Sequence, residues 1–193
     1  MGRIQPSSMT LSPTVFVWNY DSPLGVILIA ADDLGLIGLW FEGEKFYANS
    51  LPENHSKRKT PILSDTVRWL DLYFKGVEPD FTPPLRPQGT VFRLAVWNLL
   101  LGIPYGETTT YGEIARQLKT TLGVDRTSAQ AVGGAVGHNE ISIIIPCHRV
   151  VGANGSLTGY AGGLDKKSRL LALEKVDTSR FFIPKEQRRL RTP

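Results

Sequence analysis

Residues 15–41 read VFVWNYDSPLGVILIAADDLGLIGLWF and contain three apolar runs rich in β-branched and aromatic residues. Turn-forming residues separate the runs, first Ser22-Pro23-Leu24-Gly25 and then Asp32-Asp33. Short apolar runs bounded in this way are typical of antiparallel strands joined by tight turns. The stretch therefore predicts a three-stranded antiparallel meander.

The residues after the meander predict one helix and then a linker. Residues 53–60 are polar and are interpreted as a loop. Asp65–Lys75 has helical periodicity and ends at Gly76. Its apolar face comprises Val67, Leu70 and Phe74. Glu78–Gly89 contains four prolines and no periodicity, which places a domain boundary near residue 88.

The second half of the chain has the patterns of helices. Residues 90–101, 110–118 and 128–137 each open on Ser or Thr, which favours an N-cap at that position. Thr110 is followed three residues later by Glu113, the spacing of a capping box. The last two helices are short and close in sequence, as in a helix-turn-helix variant, although many other helical domains share this pattern.

These patterns predict an α/β (α+β) fold. It consists of a small N-terminal domain with a three-stranded antiparallel sheet and a helix, and a mostly helical C-terminal domain with a helix-turn-helix variant. We expect a disordered segment at 1–12, domains at 13–87 and 88–176, and a basic tail at 177–193.

Composition narrows the class of protein. The net charge of +4 and the pI near 9.3 suit a polyanionic partner without demonstrating one. Cys147 is the single cysteine, so it cannot form an internal disulfide, and with three histidines we expect no metal site. No apolar run reaches the roughly 18–20 residues of a membrane helix, and the first ten residues lack a secretory pattern. The expected location is cytosolic, without membrane association.

The stretch 139–150, NEISIIIPCHRV, carries the candidate chemistry. We interpret 141–145 as a buried strand that ends at Pro146 and presents Cys147 at a fixed angle. A lone cysteine is often only a buried, inert hydrophobe. A thiol must become a thiolate to attack carbon, which a nearby base favours. Because adjacent side chains rarely face each other, we expect a bridging water between Cys147 and His148.

The helix at 129–137 is built almost wholly of Ala, Gly and Val. Glycine costs roughly 1 kcal/mol relative to alanine inside a helix, so Gly133 and Gly134 need an explanation. One explanation is close packing against another helix. The other is that a helix without bulk can enter a narrow DNA groove.

Pro146-Cys147-His148-Arg149-Val150 resembles the active-site signature of the O6-alkylguanine-DNA alkyltransferases, also called methylated-DNA–protein-cysteine methyltransferases. The similarity extends from Thr90 to Glu174 and includes 131–135 and 159–163. The meander also looks like the N-terminal domain of that family. The resemblance implies irreversible, single-turnover transfer of an alkyl group from O6 of guanine to Cys147, without a cofactor.

The resemblance implies roles for four catalytic residues. Cys147 is the nucleophile and final acceptor, and His148 is its base through water. Glu174 holds the imidazole in the useful tautomer. Without the family, Glu174 looks like a surface charge at the end of a helix over Lys166–Lys175. Asn139 ties together the backbone around the cysteine.

The resemblance also implies a pocket for a flipped guanine, since the O6 substituent of a stacked base is sterically blocked. Tyr111 bonds the base and crowds its phosphate, although it also fits a core tyrosine. The carbonyls of Cys147 and Val150 accept from the guanine amino group. Tyr160 and the amide of Ala161 line the pocket, with the amide directed at O6.

The implied partner is double-stranded DNA containing O6-alkylguanine, with the second helix in the minor groove and affinity that falls with salt. The residues implied at the DNA are Gln130, Ala131, Gly133, Gly134, Arg126 and Arg149. Gln130 stands where the family often inserts an arginine into the base stack, so we expect altered affinity. We expect a monomer and leave cooperative binding along DNA open. Two alternatives are a non-catalytic lesion binder and a cysteine hydrolase.

Overall fold

The structure is a computed structural model that describes residues 13–123 and 127–184. The segment 1–12, Arg126 and the part of the predicted basic tail beyond residue 184 lie outside these residues. The elements, in chain order, are β1 (Val15–Ser22), β2 (Gly25–Ala31), β3 (Leu36–Phe41), β4 (His55–Lys57), α1 (Pro61–Phe74), α2 (Val91–Leu101), β5 (Thr109–Thr110), α3 (Tyr111–Leu122), α4 (Ala129–Gly137), β6 (Val150–Val151) and α5 (Leu164–Leu173).

The predicted meander is confirmed, and it belongs to a larger sheet. β1, β2 and β3 pair antiparallel, with Ser22 opposite Gly25 at the first turn. The strand order is β3-β2-β1-β4. The prediction of a loop at 53–60 was wrong at β4, which pairs parallel with β1. All three residues of β4 are exposed, so this edge strand carries no apolar signal.

Helix α1 covers one face of this sheet and begins earlier than the sequence predicted. The Thr60 hydroxyl accepts from the amide of Leu63, and Pro61 occupies the first helical position, where a missing N–H costs nothing. Its buried side chains are Leu63, Thr66, Trp69, Leu70 and Tyr73. Of the predicted apolar face, Leu70 is buried, whereas Val67 and Phe74 are half-buried.

The three predicted helices of the second half are confirmed as α2, α3 and α4. Their N-caps are Thr90, Thr110 and Ser128, each accepting from a backbone amide three residues on. Helix α3 continues to Leu122 because Gly123, at φ 61°, supplies the left-handed residue that ends it. Helix α2 packs against both α3 and α4, and the Trp97 indole donates to the Ala135 carbonyl at 2.9 Å.

The interpretation of 141–145 as a strand was wrong. Only Ile141 forms a bridge, to Leu39 of β3, and the next residues form a tight turn with Ile143 at φ 71°. The Ile145 amide donates to the Ile141 carbonyl at 3.0 Å, so the run closes on itself. Its residues are nonetheless all buried, because the turn lies between β3 and the residues around Cys147.

The larger of two apolar clusters joins the two halves of the described chain. It includes Leu39 of the sheet, Leu70 of α1, Trp97 of α2 and Leu170 of α5. Thr109 and Thr110 of β5 pair parallel with β6, which connects the start of α3 to the residues after Cys147. Within residues 13–123 and 127–184, none of the helices has the length and apolar character needed to cross a membrane.

Candidate active site

Cys147 opens a single 3-10 turn, Cys147–Arg149, between Pro146 and β6. The side chain is buried, with 3% of its surface exposed. Burial raises the pKa of the Cys147 thiol to about 11, and the hydrogen bond from Asn139 only partly offsets this. The residue is therefore a neutral thiol at pH 7 and needs a base to become a nucleophile.

Asn139 holds the turn that precedes the cysteine. Its side-chain amide donates to the carbonyls of Ile141 and Ile145, at 3.3 and 2.8 Å, and to Cys147 Sγ at 3.1 Å. Its carbonyl oxygen accepts from the Ile141 amide at 3.1 Å. Asn139, two residues after the end of α4, thus fixes both the turn and the sulfur.

His148 and Glu174 form a buried pair. His148 Nε2 lies 2.7 Å from Glu174 Oε1, and both side chains are fully buried. Burial lowers the pKa of His148 despite the opposing influence of Glu174, so the imidazole is neutral at pH 7. A neutral ring that donates from Nε2 to a carboxylate has its lone pair on Nδ1. Nδ1 is buried and has no protein hydrogen-bond partner in the described part of the chain.

Glu174 is bound by several further donors. Arg149 Nε and Nη2 donate to it at 2.8 and 3.0 Å, the Tyr73 hydroxyl at 2.8 Å and the Gly106 amide at 3.3 Å. Burial alone raises the pKa of Glu174, but the hydrogen bonds and charges of His148 and Arg149 outweigh it and lower the pKa to about 2. The alternative reading of Glu174 as a surface charge is wrong.

The prediction that Arg149 contacts DNA is also wrong for this structure. Its guanidinium is occupied by Glu174 and by the Ile103 carbonyl, which accepts from Nη1 at 2.6 Å. Only 8% of Arg149 is exposed, so it neutralises the Glu174 carboxylate instead of facing a phosphate. Sequence reasoning missed Tyr73 altogether, because a tyrosine on an amphipathic helix gives no sign of a partner 101 residues away.

A cavity of about 550 Å³ lies between α4 and the loop before α5. It is lined by Gly133, Gly134, Gly137 and His138 from the α4 segment, Gly159, Tyr160, Ala161 and Leu164 from the loop and the start of α5, and Lys45 and Phe46 from the loop after β3. Tyr160 is buried with its ring 6.5 Å from that of His148. The predicted pocket residues Tyr160 and Ala161 therefore lie together, beside the small residues of α4.

Two other predicted pocket residues, Tyr111 and Val150, are not among the residues that line this cavity, and each is already hydrogen-bonded. The Tyr111 hydroxyl donates to the Thr158 carbonyl at 2.8 Å, and burial raises the pKa of Tyr111 to about 12. Gly159 is required beside it, because a Cβ there would lie 2.7 Å from the Tyr111 oxygen. The carbonyls of Val150 and Thr158 accept from Lys167 Nζ at 2.5 and 2.7 Å.

Lys167 is a second residue that the sequence did not reveal. It is fully buried, and burial lowers its pKa to about 8. In the sequence it is one of two adjacent lysines in a polar helix, a pattern that is typical of a solvated face.

The outer face of α4 carries the other predicted DNA residues. Gln130, Ala131 and Gly134 are exposed and Gly133 is half-buried. A Cβ added at Gly134 would have no neighbour within 4 Å. Close packing therefore does not explain Gly134, whereas the nearest atoms to a Cβ at Gly133 belong to Tyr111, at 3.8 Å.

The fold and the site together define a class of protein in which a sheet domain is joined to a helix-turn-helix pair and a cysteine, a histidine and a glutamate are buried together. Sequence profiles agree with this class. The profile described as "6-O-methylguanine DNA methyltransferase, DNA binding domain" matches residues 91–176, and that of the "ribonuclease-like domain" of the same family matches residues 17–87. The chain belongs to the 6-O-methylguanine DNA methyltransferase family.

Individual relatives support the assignment. The chain is 43% identical over 158 residues to the methylated-DNA–protein-cysteine methyltransferase of Haemophilus influenzae, covering 81% of this chain and 84% of that protein. For the Methanosarcina acetivorans protein of the same name the identity is 46%, with 80% and 95% covered. The crystal structure of Mycobacterium tuberculosis OGT in complex with DNA is 40% identical and has a TM-score of 0.71, with 86% and 94% covered.

Proposed function

We propose that this protein repairs DNA by moving an alkyl group from O6 of guanine to Cys147, once per molecule. The observation that carries the proposal is the buried Cys147 followed by the buried His148–Glu174 pair, whose imidazole lies 6.5 Å from the ring of Tyr160 in the cavity wall. Membership of the family supports it independently. The division into a sheet domain to residue 87 and a DNA-binding domain from residue 88 is part of the proposal, in line with the matched ranges.

The first step is activation of the thiol. A water between Cys147 Sγ and His148 Nδ1 passes the thiol proton to the imidazole, which becomes positively charged. Glu174, ionised at any pH above its pKa of about 2, stabilises that charge through Nε2. Burial leaves the Cys147 thiolate poorly solvated, which raises the pKa of the thiol to about 11 and makes the thiolate strongly nucleophilic once it has formed.

The second step is displacement at carbon. The thiolate attacks the alkyl carbon in line with O6, the carbon–oxygen bond breaks and a carbon–sulfur bond forms. The electron pair remains on the guanine, which takes up a proton as the neutral base is restored. The amide of Ala161 is suited to donate to O6 while charge develops there. A thioether has no easy leaving path, so the protein acts once.

The proposed substrate is a base flipped from double-stranded DNA. Helix α4 offers the groove a surface without bulk, and Tyr111 is suited to meet the phosphate and the extruded base. Gln130 fills the vacated stack. We also infer a monomer, and the cytosolic location expected from the sequence stays a prediction.

Intact-protein mass spectrometry tests the proposal. The protein is incubated with a duplex oligonucleotide carrying O6-methylguanine, with Cys147→Ala as the matched control. We expect a gain of one CH2 in mass, mapped to Cys147, stoichiometric with the protein and absent from the variant. Tight lesion binding without a mass gain would identify a non-catalytic lesion binder, and repeated turnover would identify a hydrolase.

A further inference from the structure

The loop after β3 brings a buried carboxyl to the active site from the N-terminal half of the chain. Glu44 is 7% exposed, and one of its oxygens accepts from the Phe41 amide at 3.2 Å. The loop is anchored to the pocket, since the Lys45 amide donates to the Ala161 carbonyl at 3.2 Å. Glu44 is therefore held beside the pocket loop, although it has no part in the mechanism proposed above.

Two buried hydroxyls adjoin this carboxyl. Ser142 Oγ lies close enough to Glu44 and to Tyr160 to lower the pKa of each, but neither contact has the geometry of a full hydrogen bond. The hydroxyls of Ser142 and Tyr160 are both shielded from solvent. Of these two residues, Tyr160 is the one that lines the cavity. Ser142 belongs to the turn that Asn139 holds against the sulfur, so this wall is continuous with the cysteine.

Several charged and titratable groups, from different segments of the chain, interact with the Glu44 carboxyl. Lys166 of α5 attracts the carboxylate, and its Nζ lies 5.4 Å from the Phe41 ring. Cys147 and Tyr160 interact unfavourably with a negative Glu44, as does Tyr47 of the same loop. Burial outweighs Lys166 and the hydrogen bonds and raises the pKa of Glu44 to about 8. The carboxyl is therefore mostly protonated at pH 7.

We propose that Glu44 is a positioning residue for alkyl transfer, whose buried carboxyl supports the pocket wall formed by Ser142 and Tyr160. The inference rests on the proposed function. Above pH 8 the carboxyl ionises and places a second negative charge near the forming thiolate. A charged Glu44 is one of the groups that raise the pKa of Cys147, so its ionisation lowers the fraction of thiolate, by tenfold for each pKa unit. The rate of alkyl transfer then increases less at alkaline pH than it would if no carboxylate lay near the thiol.

The test is the single-turnover rate of methyl transfer between pH 6.5 and 9.5 for the wild type, Glu44→Gln and Glu44→Ala. Glutamine keeps an acceptor for the Phe41 amide and cannot ionise. We expect Glu44→Gln to match the wild type at pH 6.5 and to exceed it by about threefold to tenfold at pH 9.5. Glu44→Ala loses the support and should be slow at every pH.

The matched control is Glu42→Gln, an exposed glutamate in the same loop, which should follow the wild-type profile. Urea unfolding shows whether the Gln variant remains folded. Identical pH profiles for the wild type and Glu44→Gln would overturn the proposal, as would a folded Glu44→Gln that is as slow as Glu44→Ala at pH 6.5.

A second measurement separates this inference from the proposed function. If the wild type transfers no methyl at any pH, the proposed function fails. The rate at which iodoacetamide alkylates Cys147 then reports the same effect without DNA. A relative gain for Glu44→Gln above pH 8 would support the inference, and equal rates would overturn it.

Discussion

Replacing Glu174 by glutamine tests the buried pair at the centre of the site. The carboxylate is fully buried and accepts from His148, Arg149 and Tyr73. Glutamine keeps the shape but loses the charge, which leaves the Arg149 guanidinium buried without a counter-ion. Removing one member of a buried ion pair is strongly destabilising for that reason.

The magnitude follows from the pKa of Glu174. A carboxyl that moves from 4.5 in the unfolded chain to about 2 in the folded protein contributes about 3 kcal/mol to stability at pH 7, at about 1.36 kcal/mol per pKa unit. Because the folded-state pKa is the lower one, this contribution is complete above pH 4.5 and is lost as the pH falls towards 2. The difference between wild type and variant should therefore shrink in acid.

Urea unfolding followed by tryptophan fluorescence measures the difference. We expect Glu174→Gln to lose about 3 kcal/mol at pH 7, and clearly less at pH 3. The control is Glu107→Gln at an exposed position, which should change stability little. A loss at pH 7 no larger than that of the control would refute the reasoning, because it would mean that the buried charges are not coupled.

Substitutions at three further positions test the support of the site and the DNA surface. Tyr73→Phe removes the hydroxyl that donates to Glu174, so we expect a loss of about 1 kcal/mol in urea unfolding together with slower methyl transfer. Gly134→Ala should stabilise the fold by about 0.5–1 kcal/mol, because the added Cβ has free space and alanine favours the helix. Gly134→Leu should weaken duplex binding in fluorescence anisotropy, and unchanged affinity would mean that this face stays out of the groove. Gln130→Arg should tighten duplex binding and add about 0.9 to the slope of affinity against salt, whereas unchanged binding in Gln130→Ala would argue against insertion into the stack.

The sequence predicted those elements whose local signals agree with their surroundings. The meander has turn residues at both connections, and α2, α3 and α4 each have a capping Ser or Thr. β4 was missed because its residues are exposed on a sheet edge, where pairing with β1 leaves no apolar alternation. The local sequence pattern is sufficient to predict an element whose structure depends on its own caps, turns and burial. It is not sufficient for a strand such as β4, whose structure depends on pairing with a distant strand.

The turn at 141–145 shows a different limit. A run of buried isoleucines fits a strand, but the Asn139 side chain binds the carbonyls of Ile141 and Ile145 and holds the run in a turn. Apolar composition reports burial and does not distinguish a strand from a buried turn.

The candidate site was predictable only in part. Cys147 and His148 are adjacent in a recognisable motif, whereas Glu174 was found only through the family resemblance. Tyr73, Lys167 and Glu44 come from distant segments whose sequences look like an ordinary helix, a solvated helix and a loop. Their roles depend on burial, which the order of residues does not reveal.

The pairing of β5 with β6 has a consequence for how a damaged base is met. Thr110 caps α3 and pairs with Val151, four residues after Cys147. Asn139 lies two residues after the end of α4 and donates to the sulfur. Strand pairing therefore connects α3 to the segment that carries the thiol, and a side-chain hydrogen bond connects the end of α4 to the sulfur. We therefore expect the nucleotide to move and not the protein. The duplex deforms to bring the damaged base to the pocket, while the distance from the α4 surface to the Cys147 sulfur stays constant.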